Sequence, residues 1–154
     1  MRNRLLLLGL CAAVSACAES PLSPTEFLRL ADAEAQWAAR PFPDYAFEVR
    51  QSCFCAPEMT QWARVDVVGG QITRVVLLAT GAELPPLERS YFPTVERIFS
   101  SIHSANGDDY LKDIVVEYDA RLGYPTRVAF VSKPDIMDGG GTYYLRNAGP
   151  APTP

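Results

Sequence analysis

Only one histidine, His103, occurs in the 154 residues, so any Ser-His or Cys-His relay would have to run through it. Neither Gly-x-Ser-x-Gly nor His-Glu-x-x-His occurs. A four-ligand structural zinc site is equally short of residues, because a partner Cys-x-x-Cys or His-x-x-x-His is missing. Beyond the opening segment, no run approaches the ~20 apolar residues that a membrane-spanning helix needs. Lys/Arg clusters interleaved with aromatics are absent, and the formal charge of −4 repels phosphate backbones, which excludes nucleic acid as an expected partner. Nothing repeats at the period of a solenoid or propeller. The acidic loops Asn106-Gly107-Asp108-Asp109 and Asp135-Ile136-Met137-Asp138-Gly139 lack EF-hand spacing and read as turn and cap chemistry. Glu83 and Glu88, either side of Pro85-Pro86, read as a solvated charged loop. No catalytic residue and no cofactor is expected.

What is present begins at the N-terminus. Arg2 and Arg4 precede an apolar run from Leu5 to Val14, which ends in Val14-Ser15-Ala16-Cys17. That is the layout of an export signal over residues 1–16. The last four residues resemble the lipobox of bacterial lipoproteins, which implies a diacylglyceryl group on Cys17 as the first mature residue. Several acyl chains on one N-terminus anchor firmly, since each buried methylene contributes ~0.8 kcal/mol. Ala18 after Cys17 is compatible with outer-membrane delivery among the resembling lipoproteins. Loss of Arg2 and Arg4 with the signal takes the formal charge from −4 to −6. The remaining length suits one domain.

Of the four cysteines, Cys11 leaves with the signal and Cys17 takes lipid, so Cys53 and Cys55 remain. In an oxidising compartment such a pair closes into a disulfide. Residues two apart on a straight strand sit near the upper limit of disulfide geometry, so this bond requires a bend. Two other readings stay open. One is a redox-active pair, for which Arg50 is the nearest cation able to lower a thiol pKa. The other is a soft-metal site of Cys53, Cys55 and Met59, three sulfurs suited to Cu(I).

Residues 17–22 read as a lipidated tether, 23–146 as one domain and 147–154 as a disordered Pro-rich tail. Ser23-Pro24-Thr25-Glu26 starts a helix as a capping box, with Phe27, Leu30, Ala31, Ala35 and Ala38 on one broad face and Trp37 at its border. Arg40-Pro41 stops it. Tyr45, Phe47 and Val49 alternate as the inward side of a strand. Arg64–Val68 and Ile72–Leu78 form a hairpin about Gly69-Gly70, whose returning strand is central or bulged. Val95, Ile98, Phe99 and Ile102 mark a second amphipathic helix that ends at Asn106-Gly107 in left-handed fashion. His103 sits at its boundary as a packing residue. Strands follow at Ile114–Tyr118, Thr126–Ser132 and Thr142–Arg146. The expected class is α+β: an antiparallel sheet of five to six strands with two helices packed on one face.

Trp37, Tyr45-x-Phe47, Ser52-Cys53-Phe54-Cys55 with Pro57, the Arg64–Val76 hairpin, Thr94-Val95 with Phe99, and Tyr118-Asp119 before Gly123-Tyr124-Pro125 together carry a family resemblance. Over residues 37–146 the chain resembles an uncharacterised family of bacterial envelope lipoproteins, domain of unknown function 6174. The resemblance implies a secreted or lipid-anchored domain and supplies no activity, cofactor or catalytic residue. The functional expectation is an exported, lipid-anchored, non-catalytic binding domain facing the extracytoplasmic side. Its partners would be the membrane, through the N-terminal lipid, and an envelope protein or glycan. Tyr91, Phe92, Tyr124, Tyr143 and Tyr144 either close the ends of the core or cluster as a contact patch.

Overall fold

The structure is a computed structural model that describes residues 20–136 and 139–152. The export signal, Cys17, and Met137 and Asp138 of the second acidic loop lie outside the described residues. Among the described residues, three helices and six strands follow in the order α1 (Pro24–Ala38), β1 (Tyr45–Ser52), β2 (Ala63–Val68), β3 (Gln71–Leu77), α2 (Pro86–Arg89), α3 (Val95–Ala105), β4 (Leu111–Tyr118), β5 (Pro125–Ser132) and β6 (Gly140–Pro150). One antiparallel sheet holds all six strands in the order β3-β2-β1-β6-β5-β4, and the last strand of the chain lies between the first and the fifth. The expected α+β class is the class found.

Helix α1 starts as its sequence dictates. Ser23 Oγ accepts from the Glu26 N–H at 3.2 Å, with Pro24 in the first turn. The reciprocal half of the capping box does not form, because the Glu26 carboxylate pairs with Arg29 at 2.9 Å instead. The buried face is Leu30, Ala33 and Trp37 rather than the expected Phe27-to-Ala38 stripe, and Phe27 is 44% exposed. Trp37 decides the seam: its large ring packs edge-on against Tyr45 (centroids 4.9 Å apart) and Tyr124 (6.0 Å). Alanines have little area to bury, so Ala31, Ala35 and Ala38 turn outward.

Helix α3 buries Val95, Ile98, Phe99 and Ile102, as their spacing predicts, with Thr94 Oγ1 capping the Arg97 N–H. Its C-terminus is not left-handed: Asn106 stays right-handed at φ −65°, and the turn tightens through Asp108 N–H to Ala105 C=O. Asn106 is engaged elsewhere. Its Oδ1 accepts from the Leu22 N–H at 2.9 Å and from the Ser20 hydroxyl. The described part of the expected tether is therefore docked, with Leu22 only 3% exposed and Pro21 C=O bonded to the Ile114 N–H on β4. Residues 20–22, read as tether from the sequence, thus pack against the domain.

The β2–β3 hairpin turns on Gly69-Gly70, both at positive φ, and β3 carries the expected bulge opposite Asp66 and Val67. It is an edge strand, not a central one. Segment 83–89 covers its outer side through Leu84 N–H to Val75 C=O and the added turn of α2.

The Pro-rich tail is also shorter than expected. β6 continues through residues 147–150, of which Gly149 and Pro150 pair with Ala46 and Tyr45 of β1, and Ala148 is buried. Alternating prolines leave the N–H groups of Ala148, Gly149 and Ala151 free to bond, and Ala151 donates to Asp44 C=O at 3.1 Å. Pro150 sits at the strand end, where a missing donor costs little.

One polar junction ties α1, β1 and α3 together. Glu96 accepts from Trp37 Nε1 at 2.9 Å, from Arg40 Nη2 at 3.2 Å and from the Tyr45 hydroxyl, which itself accepts from the Val95 N–H. Burial opposes the Glu96 charge, yet the bonds from Tyr45 and Trp37 outweigh it and hold the carboxyl below its usual range. Burial, then the bond to Glu96, pushes the Tyr45 phenol far up.

Candidate functional site

A cleft of about 640 Å³ opens between one flank of α3 and the helix-bearing face of the sheet, where β1 and β5 end and β6 begins. Its floor comes from alternation in β1. Tyr45, Phe47 and Val49 point into the core, and Gln51, next in parity, points the same way and is 6% exposed. Gln51 Oε1 lies 3.7 Å from Cys53 Sγ, which as a bonded sulfur has no hydrogen to donate, and Gln51 Nε2 is buried without a partner. An unpaired buried amide costs about 1–3 kcal/mol. Met59 C=O receives the Gln51 main-chain N–H at 2.8 Å and so fixes the strand end.

The facing walls are polar. From α3 come Arg97, Ser100 and Ser104, and Asp108 follows from the next loop. Among the described residues, no carboxylate or carbonyl pairs with the Arg97 guanidinium. Asp108 Oδ1 accepts from the Tyr110 N–H at 2.8 Å. Tyr143 of β6 lines the cleft beside Phe130, with ring centroids 6.3 Å apart and edge to face. Burial raises the Tyr143 phenol pKa, and nearby Arg97 offsets part of that rise. The start of β6 can lie this close only as glycine. Gly140 has φ +101°, and a Cβ there would sit 2.4 Å from Phe130 C=O.

Cys53, also on the lining, is disulfide-bonded to Cys55 with the Cα atoms 5.3 Å apart, in the bend that follows β1. The bend that the spacing demands is present. Phe54 between them is 99% exposed. Met59 contributes main-chain bonds to this loop. No group of three or more His, Cys, Asp or Glu side chains gathers as a metal site among the described residues.

The other residues singled out in the sequence scatter. His103 Nε2 meets Glu34 at 2.8 Å and stacks edge-on with Phe27, joining α3 to α1 as a boundary residue. Glu83 is held by Arg74 and Arg89 at 2.9 and 3.0 Å. Phe92 and Tyr124 are core, Tyr91 is exposed, and Tyr144 stacks under Arg50 on the opposite face, so the five aromatics form no single patch. Sequence reasoning passed over Gln51, Arg97, Ser100 and Ser104. Gln51 left one signal, a polar residue at core parity, whereas the others look like an ordinary solvated helix face.

Fold and site together define a small antiparallel α+β domain with one polar, disulfide-flanked cleft. More specifically, the chain belongs to a family of unknown function (DUF6174), whose model matches residues 29–150. No curated protein and no solved structure matches it.

Proposed function

We propose that this protein is an exported, lipid-anchored domain of the bacterial envelope that faces the extracytoplasmic side and acts by binding, with its ligand in the α3–β6 cleft. One observation carries the binding reading: Arg97 and Gln51 present donors without protein partners in a concave site of small-molecule size. The signal-like N-terminus with Cys17, and a cysteine pair bonded as oxidising compartments favour, support the location. The membrane is engaged through the lipid, and an envelope protein or glycan through the cleft. A photo-crosslinking residue at Ser104 tests this in intact cells. A discrete adduct is expected there and none at Glu117 on the opposite face; equal capture at both, or substrate turnover by the purified monomer, defeats the reading.

The position of Cys53 on the cleft lining, which Arg97 shares, favours a second reading. Reduced, the pair would pass two electrons and two protons to a partner disulfide, or its thiolates with Met59 would hold Cu(I). Intact-mass measurement with and without alkylation separates the two readings. A pair that resists reductant is structural, while labile thiols or bound copper indicate chemistry. The same spectrum reads acylation at Cys17.

A further inference from the structure

The cleft's donors and acceptors are unequal, and that inequality limits what fits. Arg97 offers a guanidinium and Ser100, Ser104 and Tyr143 offer hydroxyls, while Gln51 holds an amide at the floor. Among the described residues Asp108 is the one carboxylate on the lining, and it retains acceptor capacity beyond its bond to Tyr110. A ligand must therefore bring at least one anionic acceptor for Arg97 and several hydroxyls for the serines and Asp108. A second or third negative charge is disfavoured, because among the described residues one unpaired cation lines the site and Asp108 shares the lining with it. Polyphosphates are poorly served for a further reason. The N-terminus of α3, capped by Thr94, is not part of the lining, and the glycine run enters β6 instead of curling into a phosphate loop. The edge-to-face rings of Phe130 and Tyr143 supply an apolar wall beside these polar groups, a mix that suits a ring carrying C–H groups on its face and hydroxyls on its rim.

We infer that the cleft binds an acidic sugar: pyranose rings of which one carries a carboxylate that Arg97 takes, with the hydroxyls of that ring and the next shared among Ser100, Ser104 and Asp108. The volume of about 640 Å³ holds one or two such rings, and the open side lets a longer chain continue. This inference rests on the cleft being the binding site.

The test is calorimetric titration of the exported protein with D-glucuronate, D-glucose and the dipeptide Ala-Ala. Glucuronate is expected to bind saturably and at least about tenfold more tightly than glucose, since a charge-assisted hydrogen bond of ~1.5–3 kcal/mol distinguishes them. Arg97→Gln should abolish the difference. Arg127→Gln, which removes a cation already paired with Glu117 on the opposite face, should preserve it. Equal affinity for glucose, preference for the dipeptide, no saturable glucuronate binding, or an indifferent Arg97→Gln variant overturns the inference. Crosslinking at Ser104 alongside such a failure leaves the binding site standing and rejects only the acidic sugar.

Discussion

Two arginines on opposite sides of the sheet keep different company. On the outer face, Arg146 bonds Glu48 at 2.7 Å and lies 4.0 Å over the Trp62 ring, while Arg50 stacks 4.3 Å over Tyr144. Arg64 and Arg127 find Asp66 and Glu117. Arg146, Arg50 and Arg127 are spent on cross-strand pairing, because antiparallel register sets Glu48 opposite Arg146, Tyr144 opposite Arg50 and Glu117 opposite Arg127, whereas Arg64 pairs with Asp66 along its own strand. On the inner side, Arg97 projects from a helix over a cleft with no ion-pair partner among the described residues. The same residue type is scaffold where a neighbouring strand or side chain supplies its counterpart and is left free to meet a ligand where none does.

Substitutions at five positions break or sharpen that contrast, taken from the largest effect to the smallest. Gly140→Ala forces a Cβ against Phe130 C=O at a left-handed backbone. It should cost about 2–4 kcal/mol in urea unfolding and collapse the cleft wall. Glu96→Ala, which strips Trp37 Nε1 and the Tyr45 hydroxyl of their acceptor, should cost about 1–3 kcal/mol. Its conservative variant Glu96→Gln carries a pH test. Because the folded carboxyl titrates below its unfolded value, its stabilisation is full above the unfolded range of about 4.3 and fades as pH falls through the folded value. Chemical denaturation between these limits should show an acid-side loss in the native protein that is smaller in Glu96→Gln.

Arg146→Gln on the outer face should lower stability by about 0.5–1.5 kcal/mol, the sum of an exposed ion pair and a cation–π contact. Arg97→Gln should leave unfolding unchanged within about 0.5 kcal/mol, since it removes no protein contact. If Arg97→Gln destabilises as much as Arg146→Gln, the two arginines do the same work and the contrast fails. Phe54→Ser should be the most nearly silent in stability, also within about 0.5 kcal/mol, because its ring touches little but solvent.

Much of the architecture was legible from local pattern. Strict alternation in Tyr45, Phe47 and Val49, the Gly69-Gly70 turn and the 3-and-4 spacing of Val95, Ile98, Phe99 and Ile102 each survive in the fold, because each is enforced within a few residues. Misreadings arose where a distant partner overrode a local rule. Asn106 forgoes the left-handed cap while binding Ser20 and Leu22, more than eighty residues earlier. The Pro-rich end becomes strand because β1 offers it an unpaired edge. The face of α1 rotates to bring Trp37 onto Tyr45 and Glu96.

The site follows the same division. The spacing of Cys53 and Cys55 required a bend for the two to bond, and the bonded pair lies in one. Gln51, Arg97, Asp108 and Tyr143 carry nothing that links them along the chain.

The sequence by itself determined the class of fold, the Ser23 cap, the hairpin and the bend at the cysteine pair, since backbone periodicity and short-range sterics act over a turn or two of chain. Tertiary structure alone decided that β6 inserts between β1 and β5, and with it that residues 51, 97–108 and 140–143 face one another across a cleft. Strand order is set by which long-range pairing buries the most apolar surface and satisfies the most backbone donors. No local window of residues contains that comparison.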